Sequence, residues 1–248
     1  MTSEVMPMVG SEPPTLVLVH GAWHGEWAWD LVVPPLNAAG VRTHAVRLPG
    51  LGRAPGRHDL RGHTEFLRAE LAGLPGPLAL CAHSYGGAVT TEAAYGNAAV
   101  TTLIYLSAFL LEVGESCADA NQPAPVPPDP SLAPVAEGGY LRVPEAAAHH
   151  MFFGDCPAEE AKAAAARLTP EHVDTVGAPV ARAAWQTIPS TYLVCARDQA
   201  LTPEAQRRMA RRATWRTEID TAHSPMLSRP HELAALLAEA ARRTDRDV

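Results

Sequence analysis

Cys81-Ala82-His83-Ser84-Tyr85-Gly86-Gly87 decides the fold, because it puts a serine where a strand must turn abruptly into a helix. Upstream, Pro77-Leu78-Ala79-Leu80-Cys81 has the length and apolar character of a buried strand opened by Pro. Downstream, Ala88-Val89-Thr90-Thr91-Glu92-Ala93-Ala94-Tyr95 reads as a helix. Between them, Ala82, Ser84, Gly86 and Gly87 are small at the positions a tight turn crowds. The pattern is that of a nucleophile elbow, Gly-x-Ser-x-Gly with its first Gly replaced by Ala. Such a turn presents Oγ to a cleft and aims the free N–H groups of the helix N-terminus at the same spot. A serine that simply caps a helix would look the same locally. The rest of the chain has to decide.

A serine hydroxyl needs a base, and the base needs an orienting acid. With an elbow of this kind the partners follow in the order Ser, Asp/Glu, His. Thr191-Tyr192-Leu193-Val194-Cys195-Ala196 is a second buried-strand pattern, followed by Arg197-Asp198-Gln199 and a helix-like run from Pro203 to Arg212. Asp198 therefore sits just past a strand's C-terminal end, where open α/β sheets place their chemistry. Thr214 to Ile219 alternates like a shorter strand, and Asp220-Thr221-Ala222-His223-Ser224-Pro225 is a loop before a helix over 230–242. His223 is placed to be the base. Asp220 competes with Asp198 for the acid's role, and His231, opening a helix, reads as surface. Elbow, post-strand Asp and late loop His, in that order, are hard to obtain together by accident, so Ser84, Asp198 and His223 are the expected catalytic triad.

Thr15-Leu16-Val17-Leu18-Val19 is an early strand that runs into His20-Gly21-Ala22-Trp23-His24-Gly25. The loop after such a strand supplies one oxyanion-hole N–H, and the residue after the nucleophile supplies the other. The expected donors are the backbone amides of Ala22 and Tyr85, with Gly21 keeping the hole clear of a side chain. His20 and His24 read as structural, hydrogen-bonded to the loop. Trp23, Trp27 and Trp29 suit core packing as well as substrate contact.

These stretches carry a resemblance. The chain resembles α/β-hydrolase-fold enzymes, and within them it is similar to the plant methylesterase and hydroxynitrile lyase group with its bacterial serine esterase relatives. The residues involved are Leu16-Val17-Leu18-Val19-His20-Gly21-Ala22-Trp23-His24-Gly25-Glu26-Trp27, the elbow at Ser84, Tyr192-Leu193-Val194-Cys195-Ala196-Arg197-Asp198, and Ala222-His223-Ser224-Pro225-Met226-Leu227. The lyases of that group carry a Thr where Gly21 stands and a Lys directly after the catalytic His. Here that neighbour is Ser224, and the chain's single lysine is Lys162. Without a cation to stabilise leaving cyanide, the esterase reading gains. Dehalogenase or epoxide hydrolase chemistry, which in this fold resembles Asp-nucleophile catalysis, is disfavoured too.

The fold class this implies is α/β: a mostly parallel, doubly wound sheet with a helical lid inserted before the strand carrying the acid. Strands over 15–19, 41–47, 77–82 and 100–107 alternate with helices near 27–39, 63–73 and 85–97. Alternation then breaks at a Pro-rich loop from Cys117 to Pro144, followed by short helices over 146–151, 157–168 and 170–176. The expected division is a flexible tail over 1–14, a core over 15–112 and 188–248, and a lid over 113–187. At 248 residues one folding unit suffices.

A net charge of -7 argues against nucleic acid or an anionic membrane as partner. No apolar run reaches membrane-spanning length, and the N-terminus lacks a basic region followed by an apolar core. The four cysteines have no metal or redox spacing, and Cys81 and Cys195 read as buried hydrophobes. A cytoplasmic setting follows, and sparse lysine with abundant Ala, Arg and Pro suits a GC-rich bacterial source. No metal or organic cofactor is implied. The expected partner is a small-molecule ester substrate, with a homodimer left open.

The expected chemistry is two-step acyl transfer on a small hydrophobic or aromatic ester, or a lactone. Gly21, Trp23, Ser107, Phe109, Met151, Phe152, Phe153 and Met226 are candidate pocket residues, because they lie at strand ends or in the lid; Leu110 and Trp185 read as core. The same triad also serves lyases, cyclases and C–C bond hydrolases of specialised metabolism, and a ligand-binding receptor with a vestigial site is a third class.

Overall fold

The computed structural model describes residues 13–50 and 59–243. The tail expected over 1–14 lies outside them except for Pro13 and Pro14.

β1 (Thr15–Val19) shows why the sheet is buried on both faces. Val17 and Val19 pack with Leu80, Ala82, Tyr105 and Val194 on one side. Leu16 and Leu18 pack with Ala79, Cys81, Ile104 and Cys195 on the other. A strand apolar on both faces suits a parallel sheet covered by helices on each side. β2 (Thr43–Val46), β3 (Leu78–His83), β4 (Val100–Leu106), β8 (Ser190–Cys195) and β9 (Trp215–Ile219) complete it. The order is β2-β1-β3-β4-β8-β9, with every neighbour parallel. The chain leaves β1 toward β2 and returns to build the other half from β3. That reversal opens a crevice at the strands' C-terminal ends, and His20, Ser84, Ser107, Asp198 and the loop to His223 all follow those ends.

The helices are α1 (Val33–Ala38), α2 (Leu60–Ala72), α3 (Gly86–Ala93), α4 (Cys117–Ala120), α5 (Glu145–Met151), α6 (Ala158–Ala165), α7 (Pro203–Ala210), α8 (Pro225–Ser228) and α9 (Pro230–Ala240). The single helix expected near 27–39 is instead a 3-10 turn over Glu26–Trp29 and then α1. Pro34 and Pro35 have no N–H to bond back to a preceding turn, so they can open a helix but not continue one. α2 begins three residues before the expected start, where the Asp59 carboxylate accepts from Gly62 N–H at 2.8 Å.

Between β4 and β8 the chain is more ordered than its prolines suggest. Ser116 and Asp119 form a capping box on α4. β5 (Val135–Glu137) and β6 (Tyr140–Arg142) form a hairpin, and β7 (Glu171–His172) adds an antiparallel edge. The helix expected over 170–176 is therefore β7 followed by a 3-10 turn, because the backbone there is paired: Val173 N–H bonds Gly139 C=O at 3.1 Å. Ala147, Ala148, Phe152, Phe153 and Ala161 give this segment a small core of its own. All four cysteines are free and buried. No helix among the described residues is long and apolar enough to cross a membrane.

Candidate active site

Ser84 follows β3 at φ +52°, a left-handed conformation that costs a side-chain-bearing residue about 1–2 kcal/mol. The turn is held from both sides. Ser84 C=O accepts from Gly87 N–H at 2.9 Å and from Phe109 N–H at 3.1 Å. A Cβ on Gly86 would stand 2.6 Å from His20 O and 2.9 Å from Val19 O, so only glycine lets α3 start this close to β1. Ser84 faces a cavity of about 290 Å³.

Asp198 and His223 are brought together behind the wall of that cavity. His223 Nδ1 donates to Asp198 Oδ2 at 2.6 Å, which leaves the lone pair on Nε2. Each residue is about 1% exposed. Asp198 is saturated with donors: Ala200 N–H at 2.7 Å and Leu201 N–H at 2.9 Å reach Oδ1, and Gln206 Nε2 reaches Oδ2 at 2.9 Å. Ser107 Oγ also donates to Oδ2 and lies 3.3 Å from His223 Nδ1. Such a set fixes the carboxylate in one orientation. Asp220, the competing acid, is exposed and paired with Arg197 at 2.9 Å. His231 is exposed as expected. His83 Nε2 donates to the carbonyl of His223 at 2.9 Å, tying the His223 loop to the Ser84 turn. No hydrogen bond joins Ser84 Oγ to His223 among the described residues.

The loop after β1 is fixed peptide by peptide. His20 Nδ1 donates to Gly21 C=O at 2.8 Å while its Nε2 accepts from Leu48 N–H at 3.1 Å, so only the neutral tautomer fits. His24 Nδ1 donates to Ala22 C=O at 2.8 Å. Burial lowers the pKa of His20 to about 4 and of His24 to about 3. His83 is pushed well below the ordinary imidazole range, by burial first and by the neighbouring His223 second. With its carbonyl turned to His20, the Gly21–Ala22 peptide points its N–H the other way. The amides of Ala22 and Tyr85 donate to no acceptor among the described residues, and both residues line the cavity beside Ser84. Gly21 lies under this arrangement, since a Cβ there would stand 2.8 Å from Ser84 Cβ. Trp23 sits at φ +62° and is gripped by the segment between β4 and β8. Its N–H bonds Glu171 at 3.2 Å, its indole N–H bonds Leu141 C=O at 2.9 Å, and its carbonyl accepts from Thr169 N–H at 2.9 Å.

Trp23, Phe109, Met151 and Phe152 stand on the cavity wall, with Asn121, Pro125, Val176 and Leu201. The other four candidate pocket residues stand elsewhere. Gly21 lies beneath Ser84. Ser107 turns to Asp198, where a buried carboxylate claims its hydroxyl. Phe153 is fully buried in the insertion's own core. Met226 is fully buried on the opposite face of the sheet, against Leu16 and Ile104. Leu110 packs in the core, and Trp185 donates to Leu111 C=O at 2.8 Å. Sequence reasoning missed Gln206, whose only signal is an amide on the buried face of α7 beside Ala205 and Met209.

A sequence profile described as alpha/beta hydrolase family matches residues 16–236. The chain belongs to that family. The hydrolase is 28% identical over 243 residues to the alpha/beta hydrolase nvfD of Aspergillus novofumigatus, covering 92% of this chain and 96% of that one. It is 29% identical over 246 residues to a pyrethroid hydrolase of Sphingobium wenxiniae, covering 91% and 87%. The crystal structure of a pyrethroid hydrolase from Sphingobium faniae JZ-2 superimposes with a TM-score of 0.77 at 29% identity, covering 92% and 97%. The architecture is the alpha/beta hydrolase fold, and the protein is an ester hydrolase of that type.

Proposed function

We propose that this hydrolase cleaves small, neutral, hydrophobic or aromatic carboxylic esters, or lactones, through an acyl-enzyme on Ser84. The observation that carries the reading is the Asp198–His223 hydrogen bond of 2.6 Å on loops beside an elbow serine that shares its cavity with two unpaired amides. His223 Nε2 takes the Ser84 proton as Oγ attacks the ester carbonyl. The step requires Oγ to turn toward the imidazole, a rotation among the three staggered side-chain wells of serine. The bond between nucleophile and base often tightens only once substrate is bound. The Ala22 and Tyr85 amides receive the oxyanion, each worth about 3 kcal/mol of transition-state stabilisation. His223 then protonates the leaving alcohol and activates the water that releases the acid.

The substrate class rests on the wall. Among the described residues no Asp, Glu, Lys or Arg lines the cavity, and its volume of about 290 Å³ suits a small acyl or alcohol group. The segment over 113–187 acts as the lid that supplies Asn121, Pro125, Met151 and Phe152 to that wall. The relatives' names, a pyrethroid hydrolase and a carbendazim hydrolyzing esterase of Nocardioides, agree with small-molecule hydrolysis. Turnover of p-nitrophenyl butyrate by Ser84→Ala, beside labelling of the parent by a fluorophosphonate, tests the proposal. A fall in kcat/KM of about 10⁴-fold or more with labelling at Ser84 is expected. Full turnover by Ser84→Ala would end the reading.

A further inference from the structure

Asp155 belongs to the insertion, just beyond α5, yet its polar contacts are with the loops that carry the base and the acid. Its Oδ2 accepts from Ala222 N–H, the residue before His223, at 2.9 Å and from Ser228 Oγ at 3.1 Å. Arg197, the residue before Asp198, brings Nη2 to 3.6 Å from the same oxygen and donates to Asp220 C=O at 2.8 Å. The Asp155 side chain is only 8% exposed, and its other oxygen has no partner among the described residues. A carboxylate this buried loses much hydration, which has to be offset by what it holds. The same turn reaches the base from a second direction, for the Phe152 ring lies 5.5 Å from that of His223. Phe152 bears on the imidazole and Asp155 on the backbone behind it, so a four-residue stretch of the insertion brackets His223.

We infer that Asp155 is a positioning residue for His223: it fixes the Ala222–His223 backbone, and through it the direction of Nε2 toward Ser84. This rests on His223 being the base. Without Asp155 the imidazole keeps its bond to Asp198, but Ala222 N–H, one peptide before the base, loses its only acceptor among the described residues. Displacement of a catalytic group by about 1 Å can lower a rate by about 10²-fold.

The test is steady-state hydrolysis of p-nitrophenyl butyrate by Asp155→Ala, Asp155→Ser and Asp155→Asn, with active sites counted by fluorophosphonate labelling so that kcat refers to folded sites. Ala and Ser are too short to reach Ala222 N–H; Asn retains an oxygen for it. For Ala and Ser, kcat per site should fall about 30-fold with KM within about twofold, and Asn should stay within about threefold of the parent. A kcat per site for Ala or Ser within about twofold of the parent overturns the inference, as does Asn falling as far as Ala. If neither Ala nor Ser folds, the carboxylate serves the fold and the inference also falls. Absence of labelling at Ser84 in the parent sinks the triad itself; labelling with undiminished Asp155→Ala turnover sinks this inference alone.

Discussion

His20 should make the hydrolase acid-sensitive by an amount that can be isolated. The neutral imidazole donates to Gly21 C=O and accepts from Leu48 N–H, and protonation would set two donors against each other. Its pKa in the folded protein is about 4 against an ordinary value of 6.5. The sign follows from which state binds the proton. Between these two values the unfolded chain is protonated at His20 and the native one is not, so lowering the pH favours unfolding. The stabilisation is fully present above 6.5, declines as the pH falls, and is exhausted below about 4. At about pH 5 the loss is about 2 kcal/mol, and its limit at lower pH is about 3 kcal/mol. His24, whose pKa is lowered to about 3, adds a similar loss. The assay is urea unfolding of the parent and His20→Asn near pH 7.5 and near pH 5, followed by tryptophan fluorescence. Carboxylates titrate in both proteins and cancel in the comparison. Near neutrality the variant should be less stable by about 1–3 kcal/mol for its lost hydrogen bonds. Near pH 5 that deficit should shrink by about 2 kcal/mol, because the variant has no imidazole to keep neutral. Parallel pH profiles for the two proteins would refute the reasoning.

Two further substitutions probe the geometry around Ser84 and Asp198. Gly21→Ala introduces a Cβ that would stand 2.8 Å from Ser84 Cβ and 3.1 Å from His83 Nδ1. It should lower kcat/KM on a p-nitrophenyl ester about 100-fold and slow fluorophosphonate labelling in parallel, because the Gly21–Ala22 peptide and Ser84, the proposed oxyanion donor and nucleophile, are forced apart. Gln206→Leu removes a donor to Asp198 and orphans Cys195 N–H, which Gln206 Oε1 accepts at 2.9 Å. It should cost about 1–3 kcal/mol in urea unfolding and lower kcat about tenfold, with KM little changed.

Local chemistry made some parts of this molecule readable from sequence. Apolar runs of strand length, an elbow with Gly86 and Gly87 after Ser84, and Asp198 directly behind a strand are short-range patterns. Parallel-sheet topology then carries their ends to one rim, which is why Asp198 and His223 meet although they stand 25 positions apart in sequence. Features set by distant partners were opaque. Ser107 reads like any strand-end residue, and only the fold shows that its hydroxyl faces Asp198 rather than substrate. Met226 sits close to His223 in sequence, yet it packs in the core on the other face of the sheet. Glu171 to Thr175 looks helical until β6 offers it a ladder.

The insertion is the strongest case. Its prolines suggest a loose cover, but several of its fixed points are contacts with the loops around Trp23 and His223. Glu171, Leu141 and Thr169 hold Trp23 in a left-handed conformation next to Ala22, and Asp155 holds the backbone next to His223. The β1–β3–β4–β8 frame can bring Ser84, Ala22 and Asp198 near one another, because strand ends are placed by ladder register. Register does not set the plane of a peptide several residues beyond the ladder. Those planes are set by side chains outside the ladder: His20 and His24 donate to carbonyls of one loop, and Asp155 accepts from an amide of the other. The insertion therefore acts twice in one architecture, giving the cavity its apolar wall and giving both loops the partners that the sheet cannot supply.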